Sequence, residues 1–266
     1  MDPRPIGVFD SGLGGLTAAK TLEEILPGEN LIYFGDSANA PYGTRTKPEL
    51  AALACGCAGF LAGFDVKAVL VACGTVSSTA MDALRERFDI PFFGVLEPAC
   101  AEAARMSPAG RIAVAATEAS VRSGAFAKTL ERLAPGAVVL SKACQSLVTL
   151  VERGHFAPGD PAADEAVRAE LAPVRDFAPD VLVLGCTHFP LLADAIGAYL
   201  GPEVKLLSVG EAAARALRAH LAAEDLLAER EAGERRWFTS GDPADFAAKA
   251  ARFLGHGITA EHHGNT

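Results

Sequence analysis

Short apolar runs alternate along the chain with longer stretches in which apolar residues recur every three or four positions. "IGVF" (6–9) leads into a helical pattern over 14–26, and "LIYFG" (31–35) into one over 47–64. "AVLVA" (68–72) leads into one over 77–88, and "FFGV" (92–95) into "EPACAEAARM". The alternation then restarts. Apolar runs at 111–116, 137–141, 181–185 and 204–210 are interleaved with helical patterns over 118–133, 145–153 and 161–176. Continuous apolar runs are what strands buried on both faces require, and helices between them make the connections parallel. The pattern predicts an α/β fold of two similar domains, each with a mostly parallel sheet flanked by helices. A later segment, "RRWFTSGDPADF" (235–246), is expected to return to the first half. The stretch "HGITAEHHGNT" (256–266) carries no periodicity and is expected to be a frayed end, with His262 and His263 in solvent.

The chain has 266 residues, half of them hydrophobic, enough for one large domain or two smaller ones. A formal net charge of −9 without any Lys/Arg cluster argues against nucleic acid or an anionic membrane surface as partner. No apolar run is long enough to span a bilayer and no signal-peptide layout opens the chain, so the expected compartment is the cytoplasm. There the six cysteines stay reduced. Their spacing suggests no zinc site. Cys55, Cys57, Cys100 and Cys144 read as small core or helix residues.

Ligands of open α/β sheets bind beyond the carboxyl ends of the strands. Those ends carry Asp10 and Ser11, then Cys73 and Thr75, then Cys186, Thr187 and His188; a loop after the second strand offers Asp36, Pro41, Tyr42 and Gly43. Gly12, Gly14 and Gly15 do not complete a dinucleotide loop, because position 17 is Thr17. Taken singly, Asp10 is a turn residue, Glu152 a solvated helix charge and His188 a core histidine. Taken together, two thiols at equivalent strand ends face one cleft, with a carboxylate near one and a histidine near the other. A group to take a proton on one side and a group to give one on the other is what inverting a carbon centre requires.

"FDSGLGGLT", "YFGDSANAPYG", "VACGT", "GVLEPA", "TLVERG", "LGCTHFPLL" and "FTSGDPADF" occur in order over about residues 5–255. As a set they resemble bacterial glutamate racemase, of the cofactor-independent aspartate/glutamate racemase superfamily. The resemblance implies two domains, 1–96 plus 208–266 and 97–207, with the active site in the cleft between them. It implies interconversion of L- and D-glutamate for peptidoglycan, with no cofactor and no metal, by a homodimer. In its terms Cys73 takes the proton from D-glutamate and Cys186 from L-glutamate. Asp10 supports Cys73, while His188 and Glu152 support Cys186. Asp10, Ser11, Tyr42, Gly43, Gly74, Thr75, Thr187 and His188 bind the substrate.

The chain departs from the family pattern in places. Gly74 stands where the pattern has asparagine, and Ser208–Val209 replace a late Asp-containing turn. Ala116–Thr117 replace Gly-Thr, Phe126 a tyrosine and Gln145 a proline. Glycine at 74 removes a side chain expected to bind substrate, so asparagine there is expected to raise kcat/KM. Two other functions are compatible with the same residues: a relative acting on another amino acid or dicarboxylate, and a binding protein with feeble catalysis.

Overall fold

The computed structural model describes residues 1–265; Thr266, the last residue both of the expected first domain and of the tail, lies outside them. The first half runs β1 (Ile6–Asp10), α1 (Leu16–Ile25), β2 (Leu31–Gly35), α2 (Lys47–Ala62), β3 (Ala68–Val71), α3 (Gly74–Thr79), α4 (Met81–Arg87) and β4 (Phe92–Gly94). After α5 (Leu96–Met106) the second half follows: β5 (Arg111–Ala116), α6 (Glu118–Ser123), α7 (Ala125–Leu133), β6 (Val138–Ala143), α8 (Gln145–Glu152), α9 (Pro161–Phe177), β7 (Val181–Leu184), α10 (Ala193–Leu200) and β8 (Lys205–Ser208). The chain closes with α11 (Val209–Ala223), β9 (Arg235–Thr239), α12 (Pro243–Leu254) and β10 (Ala260–His262).

Two parallel sheets result, in the orders β10-β9-β2-β1-β3-β4 and β6-β5-β7-β8. β1, β2, β3 and β7 are buried along their whole lengths, as their uninterrupted apolar sequences demand. In each half the first strand of the series lies between the second and the third, so the chain reverses direction across the sheet at β1/β3 and again at β5/β7. Such reversals open a crevice at the carboxyl ends of the strands. Cys73 follows β3 and Cys186 follows β7. The same topology, built twice, therefore delivers a cysteine to the same place in each half.

Three expectations about elements are corrected. The helix expected over 77–88 begins earlier, at Gly74, and breaks at Ala80, which leaves the helical region at φ −129°. The helix expected over 118–133 breaks at Gly124, whose φ of +67° glycine adopts without penalty. The tail is not frayed: β10 pairs in parallel with β9, the His263 ring stacks 4.2 Å from the Phe60 ring, and the Asn265 carboxamide donates to Asp36 and to the Leu53 carbonyl. An edge strand of three mostly exposed residues buries too little to leave a hydrophobic pattern, which is why nothing in the sequence marks it. Among the described residues no helix is long and apolar enough to cross a membrane.

Candidate active site

The carboxyl ends of the two sheets meet around a small cavity. Asp10, Ser11, Tyr42, Gly43, Cys73, Gly74 and Thr75 line it from the first half, and Glu152, Cys186, Thr187 and His188 from the second. Thr117, Gln145 and Val148 line it as well, and none of them is among the residues expected there from the sequence. Thr117 is open to the strand-end rule, because it follows β5 as Cys73 follows β3. Gln145 and Val148 lie on α8, whose apolar periodicity carries no mark of a site.

Each acid–base group is held by its own element. Asp10 ends β1, and its carboxylate accepts the backbone N–H groups of Gly12 (3.1 Å) and Gly15 (3.0 Å). Burial pushes the Asp10 carboxyl above its ordinary range, against the pull of the His188 charge and of these N–H groups. Gly14 and Gly15 make room for the acid–base groups rather than for a ligand's phosphates. A Cβ on Gly14 would lie 2.5 Å from His188 Nδ1, and one on Gly15 2.5 Å from the Cβ of Asp10.

Cys73 caps α3 and is buried. Burial, and then the charge of Asp10, push its thiol well above the ordinary cysteine range, which holds it in the proton-donating form. Cys186 has a different neighbour: His188 Nδ1 lies 3.5 Å from its sulfur, while Nε2 lies 3.3 Å from Glu152 Oε1. That second approach is an ion-pair distance without the alignment of a hydrogen bond. Burial opposes the imidazolium, but Cys186, Glu152 and Asp10 outweigh it and raise His188 well above its ordinary value. A cation so close to the sulfur is the partner a thiolate base needs. The two thiols thus have unlike surroundings, the Asp10 carboxyl beside Cys73 and the His188 ring beside Cys186.

Tyr42 is buried, but its hydroxyl donates to Asp36, which also accepts from Ser240 (2.6 Å) and Asn265 (2.7 Å). Its phenol is therefore spent on the fold. The remaining cysteines stay with the fold too. Burial pushes the thiols of Cys100 and Cys144 up to about 12, which leaves them inert at neutral pH. Among the described residues no three His, Cys, Asp or Glu side chains gather so as to hold a metal ion.

The halves close on one another through contacts that glycine permits. The Thr75 and Thr117 hydroxyls lie 3.0 Å apart, the Ala119 N–H donates to the Gly43 carbonyl (3.0 Å), and the Thr17 hydroxyl donates to the Thr187 carbonyl (3.1 Å). Gly74 sits directly under the Gly185 carbonyl, so a side chain at 74 would strike backbone. The cavity left is about 20 Å³, room for about one water.

The chain's similarities match this geometry. The family profile described as Asp/Glu/Hydantoin racemase matches residues 7–217. The glutamate racemase of Desulforudis audaxviator is 41% identical over 257 residues, 94% of this chain and 93% of that one. A solved glutamate racemase from Bacillus anthracis superposes with a TM-score of 0.94 at 35% identity, over 99% of this chain and 98% of that chain. One from Francisella tularensis, in complex with D-glutamate, superposes with a TM-score of 0.91 at 32% identity, over 100% of this chain and 98% of that chain.

Proposed function

This chain belongs to the Asp/Glu/Hydantoin racemase family, and on that premise we propose that it interconverts L- and D-glutamate by a two-thiol mechanism. The observation that carries the proposal is the pairing of Cys73 and Cys186, delivered by matching chain reversals to one closed cavity, with unlike neighbours. The names of the relatives, and the D-glutamate bound to one of them, supply the substrate.

In the L-to-D direction the Cys186 thiolate takes the α-proton and leaves its electron pair on the α-carbon. The Cys73 thiol then delivers a proton to the opposite face, so Cys186 ends as thiol and Cys73 as thiolate. The reverse direction retraces these steps from the other end. Imidazolium His188 holds the charge on Cys186, and Glu152 holds His188. Asp10, its own carboxyl raised by burial, can receive a proton when Cys73 must act as base. Burial of both thiols keeps solvent from competing for the carbanion. The same proposal includes a division at 1–96 plus 208–266 against 97–207, a homodimer working in the cytoplasm, and supply of D-glutamate to peptidoglycan.

The test is to supply each glutamate enantiomer alone and follow circular dichroism. Both signals should decay to zero, while aspartate and other amino acids keep theirs. Decay with another amino acid but not with glutamate would assign the site to that substrate. No decay with any would leave a binding protein.

The support roles give a further expected result. His188→Asn should lower kcat from L-glutamate more than from D-glutamate, by about 10²-fold or more. Asp10→Asn should do the reverse. Because the two enantiomers are equal in energy, kcat/KM stays equal for both, and the asymmetry appears only when kcat and KM are measured separately. Equal kcat losses in both directions, in both variants, would contradict these roles.

A further inference from the structure

One polar atom of the cavity lining is left without a partner among the described residues. Gln145 opens α8, and its carboxamide oxygen is buried without a hydrogen-bond partner among the described residues. It occupies the place a Cβ on Gly43 would take, a place that Thr117 also borders, and Gly43 and Thr117 both line the cavity. Unsatisfied buried amides are disfavoured and uncommon in folded proteins. One that faces a binding cavity is therefore poised for a ligand.

Its position says which part of the ligand. In the second sheet β6 and β7 flank β5, so the strand that leads to Gln145 is two strands, about 10 Å, from the strand that leads to Cys186. The first sheet repeats this, with β2 leading to Gly43 and β3 leading to Cys73 on opposite sides of β1. The cavity thus has a thiol end, where the α-carbon must sit, and an opposite end formed by Gly43 and Gln145. Of the groups on the α-carbon, the side chain of glutamate is the one that extends farthest toward that end.

Resting on the proposed reaction, we infer that Gln145 is a substrate-binding residue that receives the side-chain carboxylate of glutamate and sets the preference for that chain length. A half-turn of the amide presents its N–H groups to the carboxylate, since the two ends of a carboxamide exchange places by that rotation. Gln145 also supplies an amide to a cavity in which Gly74 offers none.

The test is steady-state kinetics on Gln145→Ala and Gln145→Glu, with circular dichroism to verify folding and wild type measured alongside. Gln145→Ala should raise KM for glutamate about ten- to a hundredfold, with a much smaller change in kcat. Its preference for glutamate over aspartate should narrow by a similar factor. Gln145→Glu should be worse than alanine at neutral pH, because it sets one carboxylate against another. That variant should recover as the pH falls and the new carboxyl protonates, a response that loss of packing alone would not produce. Wild type active on glutamate with a KM unchanged in Gln145→Ala, or with the loss confined to kcat, would overturn the inference and leave the racemase proposal intact. Wild type inactive on glutamate would overturn both.

Discussion

Cys73→Ala and Cys186→Ala should each slow racemisation of both enantiomers by roughly 10²- to 10⁴-fold, the range that a positioned acid or base contributes. Both directions fall together because every turnover uses one thiol to take a proton and the other to give one. The fold should survive. Each cysteine is buried at the edge of the cavity, and alanine removes a single sulfur from a place that already has some free volume. The variants should nevertheless differ in what they retain. Cys73→Ala keeps the Cys186–His188 pair and should slowly exchange the α-hydrogen of L-glutamate with solvent without inverting it. Cys186→Ala should do so only with D-glutamate. A coupled assay for each enantiomer, with proton exchange followed by NMR, separates these effects. Near-wild-type turnover in either variant would remove that thiol from the mechanism.

Gly74→Asn should lower kcat/KM for glutamate, opposite to what the sequence alone leads one to expect. In isolation the position lacks an amide that the family pattern supplies. In the structure it lies beneath the Gly185 carbonyl, and the first carbon of any side chain meets that backbone before its amide can reach a substrate. Overpacking of this kind costs about 1–3 kcal/mol. Here the cost falls on the closed form of the cleft, so it should appear as about a 5-fold to 150-fold loss in kcat/KM. Gly74→Ala isolates the cause, since it adds the offending carbon and no amide. A loss in alanine close to that in asparagine identifies the contact with Gly185. A gain in asparagine would restore the expectation from sequence and show that the cleft works in a wider form.

Much of this architecture is legible in the order of the amino acids. The strands that build the sheets are buried on both faces, and burial on both faces writes an uninterrupted apolar run. Asp10, Cys73 and Cys186 can be placed together because each ends such a run, and strand ends converge where the chain reverses across a sheet. The features that escape a sequence reading have no periodic signature. The break at Gly124 depends on one residue's backbone angle, and β10 buries almost nothing. The Tyr42 hydroxyl turns to Asp36 because Ser240 and Asn265, more than two hundred positions along the chain, assemble around that carboxylate. Gln145 belongs to the site because the first residue of α8 happens to follow β6, and glycine at 74 gains its meaning only when Gly185 arrives from the other half.

The most direct measurement of the central claim, that two thiols serve opposite faces of one carbon, is the position of deuterium after brief reaction in D₂O. L-Glutamate is converted to a few per cent, the enantiomers are separated, and the α-hydrogen of each is read by mass spectrometry. With Cys186 removing protium and a deuterated Cys73 supplying the other face, the D-glutamate formed should carry deuterium while the remaining L-glutamate stays protiated. Starting from D-glutamate, the pattern should be mirrored. Protium retained in the product, or deuterium entering substrate and product at equal rates, would mean that one base serves both faces, and the two-thiol mechanism would be wrong.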